Sequence, residues 1–498
     1  MSVLVTSVCA DDPEHQGLVQ DLDKLYRLVS SANSPPVDKI EGIFQYFDVS
    51  RIPNPANKPT ETDERAVDLA LVSMLVILAC ERHLKTNRML DASLSAVWPS
   101  VWKWLEYLDT ECCQKGVFSA DLYIRGLVGI AYTLSTYGAS EALRRLATST
   151  PGVITMLAKY WLAPDQQPGI EPLLKAAGID GRYYTRALDI MLQAEDTSPH
   201  CLLPDIIAAT PGGAKSVVRT GILHLNNDAS KKNPDFRSIC RDLSLINNFC
   251  CKSCPALQLA LLNHGIIPTL VKMLSLFNAQ TMDNTDVIYC VKMCYSILIK
   301  AFQCANGTSW IVQAFDSGLL QVLLKSGRRL AKLNESNRNL CTTLLSDILC
   351  QYLVYHSVLC SVGKVLRRVE RLDIGQDVAG PLWDGWLLFK GLAQERINFA
   401  IQVENDDVRR KDCNRIGVSG AGFWFIMTFP DGLPLMQCDQ TNEADSLLRC
   451  SSCLSTLYCG RNCQRLDWPS HKSSCQQLKR ALQGISVASY DSFRSSNF

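Results

Sequence analysis

Three stretches of the chain share one layout: "EALRRLATSTPGVITMLAKYW", "ALQLALLNHGIIPTLVKMLSLF" and "WIVQAFDSGLLQVLLKSGRRL" each read as a helix, a turn carrying glycine, and a second helix. Gly265 and Gly318 stand where the first helix should end, and Gly152 begins a weaker copy, "GVITMLAKYW". Glycine suits a left-handed C-cap because it has no Cβ, and the apolar stripe that follows must be buried on a neighbour. Helices this short cannot bury such a stripe alone, so the layout requires them to be stacked. From about Leu18 to Asp412 the rest of the chain shows the same helical periodicity between short Pro, Gly, Asn or Asp breaks, and strand signals are few. The fold class expected is mainly α.

The second helix of each stretch resembles the final helix of armadillo-type repeats. The glycines are 113 and then 53 residues apart, which is not a fixed period. Two architectures are therefore open for residues 1–412: an armadillo-like α-solenoid, divergent or interrupted, or an irregular helical domain. "SRIPNPANKPTETDE" at 50–64 and "NNDASKKNPDF" at 226–236 read as polar connections. The longest apolar run, "LALVSMLVILAC" at 69–80, is too short to cross a bilayer and reads as a buried helix.

A formal net charge of +1 lacks the positive excess of a duplex binder, so nucleic acid is not the expected partner. The opening "MSVLVTSVCADDPEHQ" has no basic n-region and no adequate h-region, so neither a signal peptide nor a membrane association is expected. Twenty-two cysteines in 498 residues do not make a disulfide scaffold, since a chain of this size has material for a hydrophobic core. Cys80, Cys290, Cys294, Cys350 and Cys360 lie in apolar helical context and read as small hydrophobes, which points to a reducing, intracellular setting, cytoplasmic or nuclear. The helical part has no G-x-S-x-G elbow, Walker loop, dinucleotide fingerprint or H-E-x-x-H. Cys251 and Cys254 in "FCCKSC" lack a second ligand pair nearby and read as packing residues, and His224, His264 and His356 are isolated from one another. Neither an enzyme nor a small-molecule substrate is expected.

The carboxy-terminal stretch "RCSSCLSTLYCGRNCQRLDWPSHKSSC" packs five cysteines and one histidine into 27 residues. Cys450-x2-Cys453, Cys459-x3-Cys463 and His471-x3-Cys475 are short ligand pairs of the kind that present two donors each to tetrahedral Zn²⁺. Some 40 residues cannot fold on apolar burial alone, a deficit that zinc relieves. The stretch resembles a MYND-type zinc finger, matching C-x2-C-x4-Y-C-x3-C-Q-x3-W-x2-H-x3-C without a gap. The resemblance implies two interleaved structural zincs. One would be held by Cys450, Cys453, His471 and Cys475, the other by Cys459, Cys463 and two upstream cysteines.

Upstream the chain departs from the family. Cys438 has no cysteine at x2 spacing, and Cys413 is the nearest spare thiol; Asp439 or Glu443 is the carboxylate alternative. "VSGAGFWFIMTFPDGLPLMQ", residues 418–437, lies between them with Asp431 as its only charge. Its excision would restore C-x4-C, and Val-Ser and Gln can be encoded by GTGAGT and CAG, the borders of an intron. A retained intron and an authentic hydrophobic loop are the two readings. The organisation expected is a helical body over 1–412, a finger over 413–475 with the insert, and a helix and tail over 476–498.

With four protein donors each, both zincs would be structural, leaving no open position to activate water. The family resemblance implies a peptide-recognition surface, commonly for proline-containing motifs, and no SET-type motif such as N-H-x-C accompanies it here. Gln464 and Trp468 share a helix face by spacing, and an indole suits proline rings; Ser451 matches a groove position of peptide-binding members. Trp468 also fits a core role pinning its helix to the zinc sites. The function expected is a protein-interaction scaffold. The alternative is association with nucleic acid or chromatin through Arg449, Arg461, Arg465, Lys472, Lys479 and Arg480.

Overall fold

The computed structural model describes residues 12–32, 36–162, 183–193, 202–251, 254–280, 284–304, 308–372, 374–413 and 448–450, with further positions between 457 and 476. By internal packing the chain divides into two compact units, Met1–Ile397 and Asn398–Phe498. The division falls inside the helix Trp383–Cys413, upstream of the boundary at 412 expected from the sequence.

The first unit is helical among its described residues. Its α-helices of seven or more residues begin with α1 (Pro13–Ser31), α2 (Glu61–Cys80), α3 (Arg88–Tyr107), α4 (Ala120–Gly138), α5 (Glu141–Ser149), α6 (Val153–Leu162) and α7 (Tyr183–Leu192). They continue with α8 (Leu203–Ala209), α9 (Gly213–Ala229), α10 (Phe236–Phe249), α11 (Pro255–Asn263), α12 (Ile266–Asn278) and α13 (Thr285–Cys304). Then follow α14 (Thr308–Asp316), α15 (Leu319–Lys325), α16 (Glu335–Thr343), α17 (His356–Glu370) and α18 (Trp383–Cys413).

The helix–glycine–helix layout is present at each place the sequence marks it. Gly152, Gly265 and Gly318 all have positive φ, at 94°, 77° and 91°, and α11 and α12 meet at 69° across Gly265. A fourth junction, Gly212 at φ 85°, joins α8 to α9. It lies 60 residues after Gly152 and 53 before Gly265, so the last three junctions keep an interval of 53. Each junction is followed by a third helix, α7, α10, α13 or α16, and these stack in chain order as the continuation of a row begun by α1, α2 and α4. The remaining helices pack alongside, α6 on α8, α9 on α11 and α14 on α17. This is a helical repeat-like body, compatible with the armadillo-like layout.

The sequence dictates the details. The run at 69–80 lies in α2, with residues from Val67 to Ile77 and Cys80 buried. Helix α2 starts earlier than the polar reading of 50–64 implies, because Thr60 and Asp63 form a capping box. Likewise Asn226–Ala229 complete α9 and Phe236 opens α10 under the cap of Asp235. Asp68, the residue flanking the apolar run, is fully buried: His15 of α1 donates to its Oδ2 at 2.8 Å, and Arg125 of α4 donates to Oδ1. One carboxylate thereby ties the first three helices of the row.

No disulfide joins the fourteen cysteines whose side chains are described. Cys80, Cys290, Cys294 and Cys350 are buried as expected, and burial pushes the Cys80 thiol up to about 12. Cys360 is exposed, contrary to the apolar reading, because the buried apolar positions of α17 are Val358, Leu359, Val362, Val365, Leu366 and Val369 and Cys360 is out of phase with them. Cys250 and Cys254 pack in the core, with Cys251 partly buried against it. His224 packs edge-on to Trp161 at 5.6 Å, and His356 lies 3.6 Å from the Cys360 sulfur. No single described helix is long and apolar enough to cross a membrane.

Candidate metal centre

In the second unit, β1 (Leu448–Arg449) pairs antiparallel with β2 (Leu457–Tyr458), Leu448 opposite Tyr458 and Arg449 opposite Leu457. Cys450 follows β1 directly and Cys459 follows β2 directly, so the hairpin brackets the Cys450-x2-Cys453 segment. The described residues between Arg461 and Gln476 are helical. On helical backbone His471 and Cys475, four apart, project from one face.

These two meet Cys450. The three ligand atoms lie within 4.8 Å of one another, and all three residues are buried. The sulfurs of Cys450 and Cys475 are 3.7 Å apart, far beyond a disulfide bond. Zn–S bonds of about 2.3 Å at tetrahedral angles place two sulfurs ~3.8 Å apart, so this edge fits zinc. Exposures of 1% for both cysteines and 7% for His471 keep the donors out of bulk water. As the thiolates that bind metal, two buried sulfurs this close would be costly without a cation to neutralise them, and zinc supplies it. Trp468 packs a tilted ring against His471, centroids 6.1 Å apart and planes at 61°, and is itself 41% exposed.

The structure thus assembles three of the eight expected metal ligands. Cys413 is the last residue of α18, and its side chain is outside the described set. Cys438, Cys453, Cys459, Cys463 and Ser451 also lie outside the described residues. Gln464 is partly buried, one turn from Trp468. The β-hairpin was not marked by the sequence reading; its strands are two residues long, too short for an alternating pattern to register.

The MYND finger family matches residues 436–475. The match takes in Cys438 and the six downstream ligands, and it begins two residues before Cys438, leaving Cys413 outside. The chain is 44% identical over 45 residues to Egl nine homolog 1 of Homo sapiens, covering 9% of this chain and 11% of that protein. It is 49% identical over 38 residues to Tudor domain-containing protein 1 of Mus musculus, 8% of this chain and 3% of the relative. Histone-lysine N-methyltransferase ASHR1 of Arabidopsis thaliana is 36% identical over 44 residues, 9% of each chain. The chain therefore spans only about a tenth or less of these relatives. This chain carries a MYND finger, a zinc-binding protein-interaction module, on a helical body.

Proposed function

We propose that this protein is a non-enzymatic interaction scaffold whose finger takes short proline-containing peptides while its helical body holds a second partner. The observation that carries the reading is Trp468: its indole is anchored against the zinc ligand His471 yet is 41% exposed. A flat apolar surface fixed by the metal site and open to solvent suits a proline ring, and Gln464 one turn away offers an amide to an extended backbone.

In this reading two structural zincs hold the finger, the first on Cys450, Cys453, His471 and Cys475, the second on Cys413, Cys438, Cys459 and Cys463. Zinc supplies folding energy, and with protein donors filling each shell it has no catalytic position to offer. The many buried cysteines of the body, reduced among the described residues, support a reducing intracellular location, cytoplasmic or nuclear.

The test is a Trp468→Ala variant of the full chain, assayed for binding to a proline-rich peptide and for zinc content. Peptide binding should fall while zinc stays. Loss of zinc with unchanged binding per folded molecule would make the indole a core residue and remove the observation on which the reading stands.

A further inference from the structure

Beside the buried ligands, the finger exposes a second set of side chains. Arg461, Arg465, Trp468 and Lys472 are all exposed. They recur at intervals of four, three and four residues, the spacing that lines side chains up on helical backbone. No ion pair among the described residues engages the three cations, whereas exposed cations of the body such as Arg27, Lys103 and Arg145 are paired within their own helices. The stripe is not an echo of overall composition. Between Arg449 and Gln476 the chain has four Arg or Lys against the single acid Asp467, although its net charge is only +1.

We propose that the ligand of this face is an acidic proline-containing segment, its proline on the Trp468 indole and its carboxylates paired with Arg461, Arg465 and Lys472. The proposal rests on the peptide-binding reading above and narrows it. Arg465 lies three residues before Trp468 and Lys472 four after, so exposed cations flank the indole on both sides in sequence. In an extended peptide, acids one or two positions either side of a proline lie ~3–7 Å from it, within the span that long Arg and Lys side chains cover. Complementary charge of this kind selects partners and speeds encounter more than it adds affinity. A nucleic acid fits less well, because single-strand binding uses several aromatics as a stacking platform and this stripe presents one.

The experiment uses the zinc-loaded full chain and fluorescence anisotropy with four labelled probes. These are a peptide with proline flanked by Glu and Asp, the same peptide with Gln and Asn flanks, the acidic peptide with proline replaced by alanine, and a single-stranded oligonucleotide. The acidic proline peptide should bind about tenfold more tightly than the neutral one at low salt, and the gap should narrow as salt is raised. Arg465→Glu with Lys472→Glu, at unchanged zinc content, should abolish that preference. Should the double variant lose zinc, Arg465→Gln with Lys472→Gln replaces it and should flatten the preference.

Equal binding of acidic and neutral proline peptides would overturn this proposal and leave the peptide reading standing. Failure of every peptide would overturn both. Tighter binding of the oligonucleotide than of any peptide, with a steeper salt dependence, would reassign the stripe to phosphate.

Discussion

The sulfurs of Cys450 and Cys475 lie 3.7 Å apart, an edge of the tetrahedron that a zinc ion prescribes and not a covalent bond. One comes from the end of a β-strand and the other from helical backbone 25 residues later, so the metal joins segments that too little apolar surface would hold. Cys475→Ser should therefore cost the finger its fold, with roughly 10 kcal/mol or more of apparent zinc binding at stake. The expected outcome is loss of at least one zinc per chain by metal analysis while the far-ultraviolet dichroism of the body persists. Simultaneous melting of the body would refute the independence of the two units.

Asp68 is the electrostatic keystone of the first three stacked helices. Its carboxylate is buried between His15 and Arg125, and Arg125 Nη1 also lies 3.5 Å from a carboxylate oxygen of Asp121. Removing one member of a buried charge pair costs about 3–5 kcal/mol because the other stays desolvated. Asp68→Ala should lower the unfolding midpoint strongly, and adding Arg125→Met should recover part of the loss. A double variant worse than the single one would show that the guanidinium has an independent role.

Asp189 on α7 predicts a pH effect of defined sign. Burial pushes its carboxyl up to about 6, against hydrogen bonds from Ser244 at 2.7 Å and Asn248 at 3.2 Å and the nearby Arg241. The native state thus holds a proton that the unfolded chain releases near the ordinary carboxylate value, so this residue's contribution to stability falls as pH rises from about 4 to 6. The ionised group costs on the order of 3 kcal/mol at neutral pH. Asp189→Asn keeps an oxygen to accept both hydrogen bonds, so it should be more stable than the parent at pH 7 and nearly equal to it at pH 4. Equal stability at both pH values would mean that the carboxylate is solvated.

Much of this was legible in the sequence. Gly265 and Gly318 are each followed at once by two apolar residues, "GII" and "GLL", and the pattern announces a buried second helix. Gly212 escaped notice because "GGAKSVV" opens its helix with small and polar residues, which hid the 53-residue interval. Asp68 looked like the edge of an apolar run, since its partners lie 53 and 57 residues away and no local periodicity reports them. In the finger, the spacing of short donor pairs that zinc needs marks Cys450, His471 and Cys475, the three residues that the fold brings together. The exposure of Trp468 was not legible, since spacing alone gives a face and not what covers it.

Two glycines should separate conformational cost from collision. Gly265→Ala places a side chain at φ 77°, which costs roughly 1–2 kcal/mol. Gly327 has no such strain and sits in a helical turn, where alanine is ordinarily the better residue. A Cβ there would lie 2.0 Å from the carbonyl oxygen of Ala379 and 2.5 Å from that of Val378, backbone that cannot swing aside. Gly327→Ala should therefore be the more damaging of the two in urea denaturation. A neutral or stabilising result would deny the close approach of these backbones.

Cys413 decides what the apolar segment at 418–437 is to the finger. It ends α18, and the family match begins only at Met436, so the twenty-residue insert lies almost entirely between them. Lengthening a loop by this much costs about 1–2 kcal/mol, small beside the roughly 10 kcal/mol that a zinc site returns, so the thiol can serve with the insert in place. Asp439 or Glu443 would be a harder and weaker donor in a thiolate-rich shell. Cys413→Ser should reduce the full chain from two zincs towards one, and deletion of 418–437 should leave two while improving solubility, since it removes Phe423, Trp424, Phe425 and Phe429. Two zincs retained by Cys413→Ser would hand the fourth position to a carboxylate, and metal lost on deletion would make the insert a working part of the domain.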